Sequence, residues 1–351
     1  LWTGAYLLQK TAYNNHYYLL ILLALIMCFM PANLSRSLDV KQGRLTENQW
    51  KPAYVKWIFV LQLFLVYSYA AIAKLYPDWI DLTFIRFLLS TKAEYPLIGD
   101  ILQNPSLQTV IAWGGLIFDG LIIPALLWKP SRKIAFLLAI VFHLFNSVVF
   151  QIGIFPYLSL ALTVFFFAPE TIRKLFFKQV PLDERNKPTF SRPKAIWIWG
   201  WALYFLIQTV LPLRHHMIPG DVLWTEEGHR MSWRMMLRAR YGSIQFEVVN
   251  KETGARTVPD LSQILTKRQQ VRIAGYPDLI WQFAQRLARE YKLEGQDVAV
   301  YANAKVSINA RPLEQFTDPR VDLAAEDWDP FKHHHWILPS PIDEKATTRI
   351  E

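Results

Sequence analysis

A single lysine follows a long apolar segment of the chain. Residues 57–73 carry no charged side chain, and Lys74 comes directly after them. An ammonium group at the centre of a membrane span costs about 3 kcal/mol, and the cost falls toward the ends of the span. An apolar environment favours the neutral amine, which is a base. The alternative is a lysine whose ammonium group extends to the lipid headgroups, as lysines at span ends commonly do.

Further polar residues lie inside other apolar segments. His143 and Asn146 are three positions apart within residues 134–168, so they share one face of a helix. Polar side chains inside a membrane span usually face a cavity or the protein interior, which favours a functional site over a simple interhelical contact. Asp119 is the single charged residue of segment 107–128 and could pair with a nearby cation.

Asn15 and His16 stand just before another apolar segment, residues 17–30. An asparagine and a histidine at that depth could hydrogen-bond the polar head of a quinone or of a sugar. They could equally belong to the belt of polar and aromatic residues at a membrane surface. Both interpretations remain open on the residues alone.

A second candidate ligand surface lies near residue 233. Trp233, Met235 and Met236 together form a flexible apolar group that suits an isoprenoid or aromatic ligand, although they could also be core residues. The sequence contains no glycine-rich phosphate loop, nucleophile elbow or spaced set of Cys and His, so no metal site is expected. The run His333 to His335 is interpreted as surface histidines, because neighbouring side chains on an extended segment point in alternating directions.

Composition and charge indicate a membrane protein. Of the 351 residues, 52% are hydrophobic and 14 are Trp, which is more apolar than an ordinary soluble protein. Residues 214–351 hold 19 Lys and Arg and 19 Asp and Glu, so the first 213 residues carry the whole excess of nine positive charges. This excess lies in short loops between apolar segments, as in the cytoplasmic loops of membrane proteins, and nucleic acid is not an expected partner.

The apolar segments predict about six membrane crossings in the first domain, residues 1–213. The long segment 134–168 should form two helices, because the Gly153 to Pro156 region interrupts it. The basic segments 31–56, 129–133 and 169–194 then fall on one side, which the positive-inside rule makes cytoplasmic. The chain begins with Leu1 rather than Met, so we expect that an N-terminal part, which could hold further spans, is missing. The expected crossings are residues 17–30, 57–73, 107–128, the two halves of 134–168, and 195–213.

This orientation places Lys74, His16 and His143 in the same, extracytoplasmic half of the bilayer. The second domain, residues 214–351, follows the last crossing and should cover that half from outside. Alternating residues predict strands at 243–249 and 297–309, and helical periodicity predicts a helix at 277–291. Residues 181–193 read as a polar, proline-containing cytoplasmic linker. The expected fold is a polytopic α-helical membrane protein with a C-terminal, extracytoplasmic, strand-rich α+β domain.

From about residue 7 to about residue 343 the chain resembles the vitamin K-dependent gamma-carboxylase family in its shorter, bacterial-type form. Each short motif is weak alone, but their order and spacing together are specific. The motifs are Asn14-Asn15-His16, Ala73-Lys74-Leu75, Asp78-Trp79, His143 with Asn146-Ser147, Gly153-Ile-Phe155, Ser232-Trp233 with Met235-Met236, Val306-Ser-Ile-Asn309 and Asp318-Pro-Arg-Val-Asp322.

The resemblance implies an enzyme that oxidises vitamin K hydroquinone with O2 to the 2,3-epoxide and uses the base so generated to add CO2 to the γ-carbon of a protein glutamate. It implies that Lys74 deprotonates the hydroquinone and that His16, with Asn15, holds the quinone oxygens and serves the later steps. His143 and Asn146 would line the same pocket. The implied partners are the lipid bilayer, a quinone and a glutamate-containing protein or peptide, and the implied location is a bacterial inner membrane with the active site facing outward.

The chain also departs from the vertebrate members of the family, which carry a disulfide and a further C-terminal β domain. It has Ala73-Lys74 where they have two lysines, and Gly228-His229-Arg230-Met231 where they have a tyrosine-rich run associated with glutamate. Epoxidation is therefore better supported than carboxylation. Two alternatives stay open: an uncoupled epoxidase that acts on another quinone or lipid, and a membrane scaffold or binding protein without catalytic activity.

Overall fold

The computed structural model describes residues 2–34, 37–47, 52–176 and 194–340. The predicted linker at residues 181–193 lies outside these ranges. The described chain divides into two compact units. The helical unit comprises residues 15–75 and 110–209, and the mixed unit comprises residues 1–14, 76–109 and 210–351. The predicted second domain, residues 214–351, is thus part of a unit that also takes in two earlier segments.

The helical unit is built from apolar helices with many exposed aliphatic and aromatic side chains. Such surfaces are expected where lipid replaces water as the solvent. Its helices are α2 (Asn15–Cys28), α3 (Leu38–Lys41), α4 (Ala53–Ala73), most of α8 (Pro105–Leu127), α9 (Arg132–Val149), α10 (Phe155–Leu162), α11 (Pro169–Phe176) and α12 (Ala195–Val210).

Among the described residues, four helical stretches are long and apolar enough to cross a membrane, which is compatible with a membrane protein. They are Ala53–Ala73, Pro105–Leu127, Arg132–Val149 and Ala195–Met217. A fifth is obtained if the bent pair Asn15–Cys28 and Ala32–Lys41 forms one span. The remaining expected crossing corresponds to the apolar stretch Phe155–Phe166, which is shorter than a bilayer core requires. Six crossings therefore remain a prediction.

The predicted break in the long apolar segment occurs where it was expected. Helix α9 ends at Val149 and α10 begins at Phe155. Between them, Gln151 and Gly153 adopt left-handed backbone conformations with φ of 52° and 74°. Glycine reaches this region at little cost, and Pro156 suits the first turn of the helix that follows. The corner fixes the position of Phe155, which becomes important below.

Polar contacts join the helices of this unit. The Tyr204 hydroxyl of α12 donates to the Gln62 side-chain oxygen of α4 at 2.6 Å, and Gln208 of α12 and Tyr18 of α2 are hydrogen-bonded. Such contacts between membrane helices are worth about 1 kcal/mol each. They anchor α12, whose surface is otherwise largely exposed.

The mixed unit contains a four-stranded antiparallel sheet in the order β2-β1-β3-β4. The central pair runs from Arg240 opposite Ile308 to Asn250 opposite Val298, which matches both predicted strands. The predicted helix corresponds to α16 (Pro277–Leu293). Its Phe283 packs edge-on against Phe246 of β1 (Arg240–Asn250), with ring centres 5.0 Å apart. The elements are α1 (Trp2–Leu7), α5 (Pro77–Ile80), α6 (Thr83–Ser90), α7 (Gly99–Leu102), α13 (Val222–Thr225), α14 (Leu261–Ile264), α15 (Lys267–Ile273), α16 (Pro277–Leu293), β1 (Arg240–Asn250), β2 (Arg256–Thr257), β3 (Val298–Ile308) and β4 (Glu314–Gln315).

Candidate functional site

The structure buries Lys74 and pairs it with an acid. Lys74 is the C-terminal cap of α4, and its Nζ lies 2.5 Å from the Oδ2 of Asp119 on α8. The same Nζ lies 3.3 Å from the Ala70 carbonyl oxygen, one turn back along α4. The side chains of Lys74 and Asp119 are only 7% and 9% exposed. The lysine therefore folds back onto the protein rather than extending away from it.

His143 lies inside the helical unit, surrounded by aromatic rings. Its Nε2 is 2.9 Å from the hydroxyl of Tyr67 on α4. Its Nδ1 is buried and has no hydrogen-bond partner among the described residues. A buried polar atom without a partner costs about 1–3 kcal/mol, so a ligand atom at this position would recover that energy. The rings that approach His143 belong to Tyr67, Phe118, Phe142 and Phe155.

His16 reaches the same aromatic group through Phe155. The imidazole of His16 stacks on the Phe155 ring with centres 4.7 Å apart, and His143 meets that ring edge-on at 5.9 Å. The glycine and proline corner that starts α10 thus inserts one aromatic ring between the two histidines. The expected partners of both histidines, Asn15 and Asn146, are buried in the same unit.

Consecutive residues of α8 connect His143 to Lys74. Phe118 meets the His143 ring edge-on at 5.7 Å, and Asp119 binds Lys74. On α4, Tyr67 and Lys74 are seven positions apart, two turns of helix, and so face the same way at about 10 Å separation. The three titratable residues expected to share a pocket therefore lie in one aromatic-lined region of the helical unit.

Sequence reasoning missed Tyr67 and Phe155 in this region. Tyr67 is 4% exposed and its hydroxyl fixes the orientation of the His143 ring. Nothing in its local sequence distinguishes it from the other tyrosines of α4. Phe155 was noted only as part of a motif. The pairing of Asp119 was left open between several cations, and the structure assigns it to Lys74.

The remaining candidates belong to the mixed unit. Trp233 is fully buried, whereas Met235 and Met236 are half-buried. Met231, Trp233 and Met236 have φ of 57°, 57° and 51°. Left-handed conformations are uncommon outside glycine, and they cluster at functional sites. A role of Trp233, Met235 and Met236 in ligand binding stays a prediction.

Buried charged residues lie on both sides of residues 231–236 in the sequence. Glu226 forms ion pairs with Arg238 and Arg240 inside the mixed unit. Burial lowers the pKa of the His229 imidazole well below its ordinary value, and Arg238 lowers it further. Burial likewise lowers the pKa of the Arg240 guanidinium to about 10, although Glu226 opposes the shift. His229 is therefore neutral near pH 7 in an arginine-rich environment.

The interpretation of the histidine run as surface residues was wrong for His334. Its Nδ1 is bonded to the buried carboxylate of Glu227 at 2.8 Å, and its Nε2 accepts the Asp329 backbone N–H at 3.1 Å. The Nδ1 of His333 lies 2.7 Å from the same carboxylate, while His335 is exposed. Sequence spacing could not reveal an acid more than one hundred residues away. Within the described residues, no three His, Cys, Asp or Glu side chains lie together in a way that could hold a metal ion.

Two of the quoted motifs meet inside the mixed unit. The Asp78 carboxylate accepts hydrogen bonds from both terminal nitrogens of Arg311 and from the Asn309 amide, each at 2.6 Å. Burial raises the pKa of Asp78, but the bonds from Arg311 and Asn309 outweigh this and hold the pKa below its ordinary value. The bidentate geometry ties the segment after α4 to the end of β3.

Asp78→Asn is expected to lower the free energy of unfolding of the mixed unit by about 2 kcal/mol, because it removes a charged partner from a partly buried pair. A carboxylate with a depressed pKa stabilises the fold above its unfolded value near 4, and this stabilisation is lost as the pH falls through the folded pKa. The difference between wild type and variant, measured by thermal unfolding, should therefore be full at pH 7 and shrink below about pH 4. An equal difference at pH 3 and pH 7 would contradict this account.

Taken together, the fold and the buried polar residues define a protein with an apolar helical unit of membrane-spanning character and a strand-containing second unit. Comparison with known families agrees with both parts. The model of the HTTM domain matches residues 1–170, and that of the vitamin K-dependent gamma-carboxylase lumenal domain matches residues 193–343. No solved structure matches the chain. The chain belongs to the vitamin K-dependent gamma-carboxylase family.

Membership of this family supports a carboxylase-like function. The family implies vitamin K and glutamate-containing substrates.

Proposed function

We propose that this protein oxygenates a vitamin K-type hydroquinone to its 2,3-epoxide and couples this step to the addition of CO2 to a glutamate γ-carbon. The observation that carries the proposal is the buried Lys74–Asp119 pair beside an aromatic enclosure in which the Nδ1 of His143 has no partner. A scaffold has no need of a buried lysine next to an unsatisfied imidazole, since each lowers stability.

The overall reaction, hydroquinone + O2 → 2,3-epoxide + H2O, takes four electrons from the hydroquinone: two reduce the oxygen atom that leaves as water, and two form the bonds to the oxygen atom that enters the ring. The protein must start this reaction by removing the hydroquinone's O–H proton. Lys74 is the residue we assign to that task, together with Asp119 at 2.5 Å. Both groups are kept from water, so the proton cannot leak to solvent during the reaction.

His143 holds a quinone oxygen in this proposal. When the Tyr67 hydroxyl donates to Nε2, the other ring nitrogen carries the proton, and Nδ1–H points at the ligand. A fixed donor at an oxygen that gains negative charge is among the strongest contributions a protein makes to catalysis. His16, stacked on Phe155, supplies a second imidazole on the other side of that ring.

The carboxylation half rests on the mixed unit and on family membership. A cavity of about 180 Å³ in this unit is lined by Lys10, Arg214, Arg230 and Lys332 as well as by acidic residues. Its cations suit a carboxylate acceptor, and the adjacent Met231 offers apolar surface. The unit would then face the extracytoplasmic side, as the lumenal domain of the family implies.

A single assay tests both halves of the proposal. Purified protein in lipid nanodiscs is incubated with vitamin K hydroquinone, O2, labelled bicarbonate and a glutamate-containing peptide, and the epoxide and the fixed label are measured separately. Epoxide with label supports the coupled reaction, whereas epoxide without label indicates an uncoupled oxygenase. If neither product forms with this quinone or with a panel of others, the proposal fails and a non-catalytic membrane protein becomes the better account.

A further inference from the structure

Two polar neighbours in the helical unit bear on the protonation state of Lys74. A carboxylate at 2.5 Å favours the charged ammonium form of a lysine. The Ala70 carbonyl at 3.3 Å is one of the last carbonyls of α4, and the C-terminal end of a helix also favours a positive charge. Both contacts stabilise the ammonium form of Lys74, and an ammonium group cannot accept a proton.

The other titratable groups nearby do not change this balance. The Tyr67 hydroxyl on α4 interacts electrostatically with Asp119 on α8 and lies 2.9 Å from the Nε2 of His143 on α9. Among the described residues, Lys74 is the cation that contacts the Asp119 carboxylate. In an ammonium–carboxylate pair, the carboxylate is the group that can still accept a proton.

We propose that Asp119, acting through Lys74, is the residue that finally receives the hydroquinone proton. The Lys74 ammonium transfers one proton to Asp119, so that an N–H bond breaks and an O–H bond forms. The resulting amine takes the proton from the hydroquinone hydroxyl and becomes an ammonium again. One negative charge has then moved from Asp119 to the hydroquinone oxygen, and the Lys74 ammonium stands beside it as the counter-ion.

This inference rests on the proposed function and assigns the base within it. A relay through Asp119 and a lone neutral lysine predict opposite effects on the reaction rate when Asp119 is removed. A lone amine should work better when its acidic neighbour is removed, because the neutral form becomes more populated. A lysine that relays a proton to Asp119 should work worse.

The first test measures the state of Lys74 without any substrate. Protein in detergent is labelled between pH 6 and pH 10 with 1-fluoro-2,4-dinitrobenzene, which reacts only with neutral amines, and the Lys74 peptide is quantified by mass spectrometry. Asp119→Asn is expected to raise the labelling rate of Lys74 at pH 8 by about tenfold or more. The reason is that an adjacent opposite charge favours the ammonium form of an amine, and its removal raises the fraction in the neutral, reactive form by about tenfold or more. Asp119→Glu should stay within about twofold. The exposed Lys129 serves as the internal reference in every sample.

The second test measures epoxide formation across the same pH range. Asp119→Asn is expected to lose about 100-fold or more in rate at every pH, with a displaced pH profile, while Asp119→Glu recovers a substantial part. The exposed Asp100→Asn is the control and should match wild type. Size-exclusion profiles and thermal unfolding confirm that the variants remain folded.

The two tests fail independently. Equal Lys74 labelling in wild type and Asp119→Asn, or an Asp119→Asn rate at or above wild type, overturns the role of Asp119. Absence of epoxide from the wild-type protein instead removes the proposed reaction, and the labelling result then still decides whether Asp119 holds Lys74 in its charged form.

Discussion

Lys74→Ala is expected to reduce epoxide formation by about 10²–10⁴-fold, the range that a positioned acid–base group contributes to catalysis. The physical reason is that no other described side chain contacts the Asp119 carboxylate as an ammonium does, so neither the proton relay nor the counter-ion remains. A small amine added to the assay should enter the space left by the side chain and restore part of the rate. The measurement is the initial rate of epoxide formation in nanodiscs.

Stability must be separated from chemistry in this experiment. Removing Lys74 leaves a buried carboxylate without its partner, and breaking a buried pair costs about 3–5 kcal/mol. Lys74→Arg keeps a cation beside Asp119 but cannot give up a proton near neutral pH, so it should fold and be inactive. Lys129→Ala, at an exposed position, should leave the rate unchanged. Normal epoxide formation by folded Lys74→Arg would remove Lys74 from the proton-transfer step.

His143→Phe is expected to lower kcat/KM for the hydroquinone by about 10²–10³-fold, the usual cost of deleting one fixed donor to a developing oxyanion. Phenylalanine keeps an aromatic ring of similar size among Phe118, Phe142 and Phe155, so the packing changes little. The variant removes a buried nitrogen that has no partner among the described residues, but it also removes the partner of the buried Tyr67 hydroxyl, so the two effects on stability oppose each other. A large loss of activity with little change in the free energy of unfolding is characteristic of a functional residue.

Tyr67→Phe provides the matched comparison. It removes only the hydroxyl that orients the His143 ring, so its effect on kcat/KM should be smaller, about tenfold, and should depend on the presence of His143. In the double variant with His143→Phe, the Tyr67 change should therefore add almost nothing. Additive effects of the two substitutions, or a fully active His143→Phe, would contradict the assignment of His143 to the quinone oxygen.

Much of this organisation could be predicted from the sequence. The apolar segments predicted the helices, since a membrane span needs about 20 apolar residues. The alternation of apolar and polar residues predicted both long strands of the sheet. The break before Phe155 was predicted from Gly153 and Pro156, which interrupt the long apolar segment. The crossing number was less certain, because length alone distinguishes a spanning helix from a short buried one, and Phe155–Phe166 falls below that length.

The polar residues of the candidate site were visible in the same way. A lysine, two histidines and an aspartate in or beside apolar segments are costly in a bilayer, so the sequence singles them out as candidates, although a lysine that extends to the headgroups or a polar belt at the membrane surface stays open on the residues alone. Their order and spacing also carried the family resemblance that the HTTM and lumenal domain models support. These inferences need only composition and position along the chain.

Only the tertiary structure decided which of these groups meet. Asp119 pairs with Lys74, Tyr67 binds His143, and His334 binds Glu227, and in each case the partners are far apart in the chain. Such pairs depend on the rotation and depth of each packed helix or loop relative to its neighbours. Hydropathy specifies that a segment is buried but leaves these two quantities free. The sequence could therefore single out Lys74 as a candidate, while only the structure identified Asp119 as the acid paired with it.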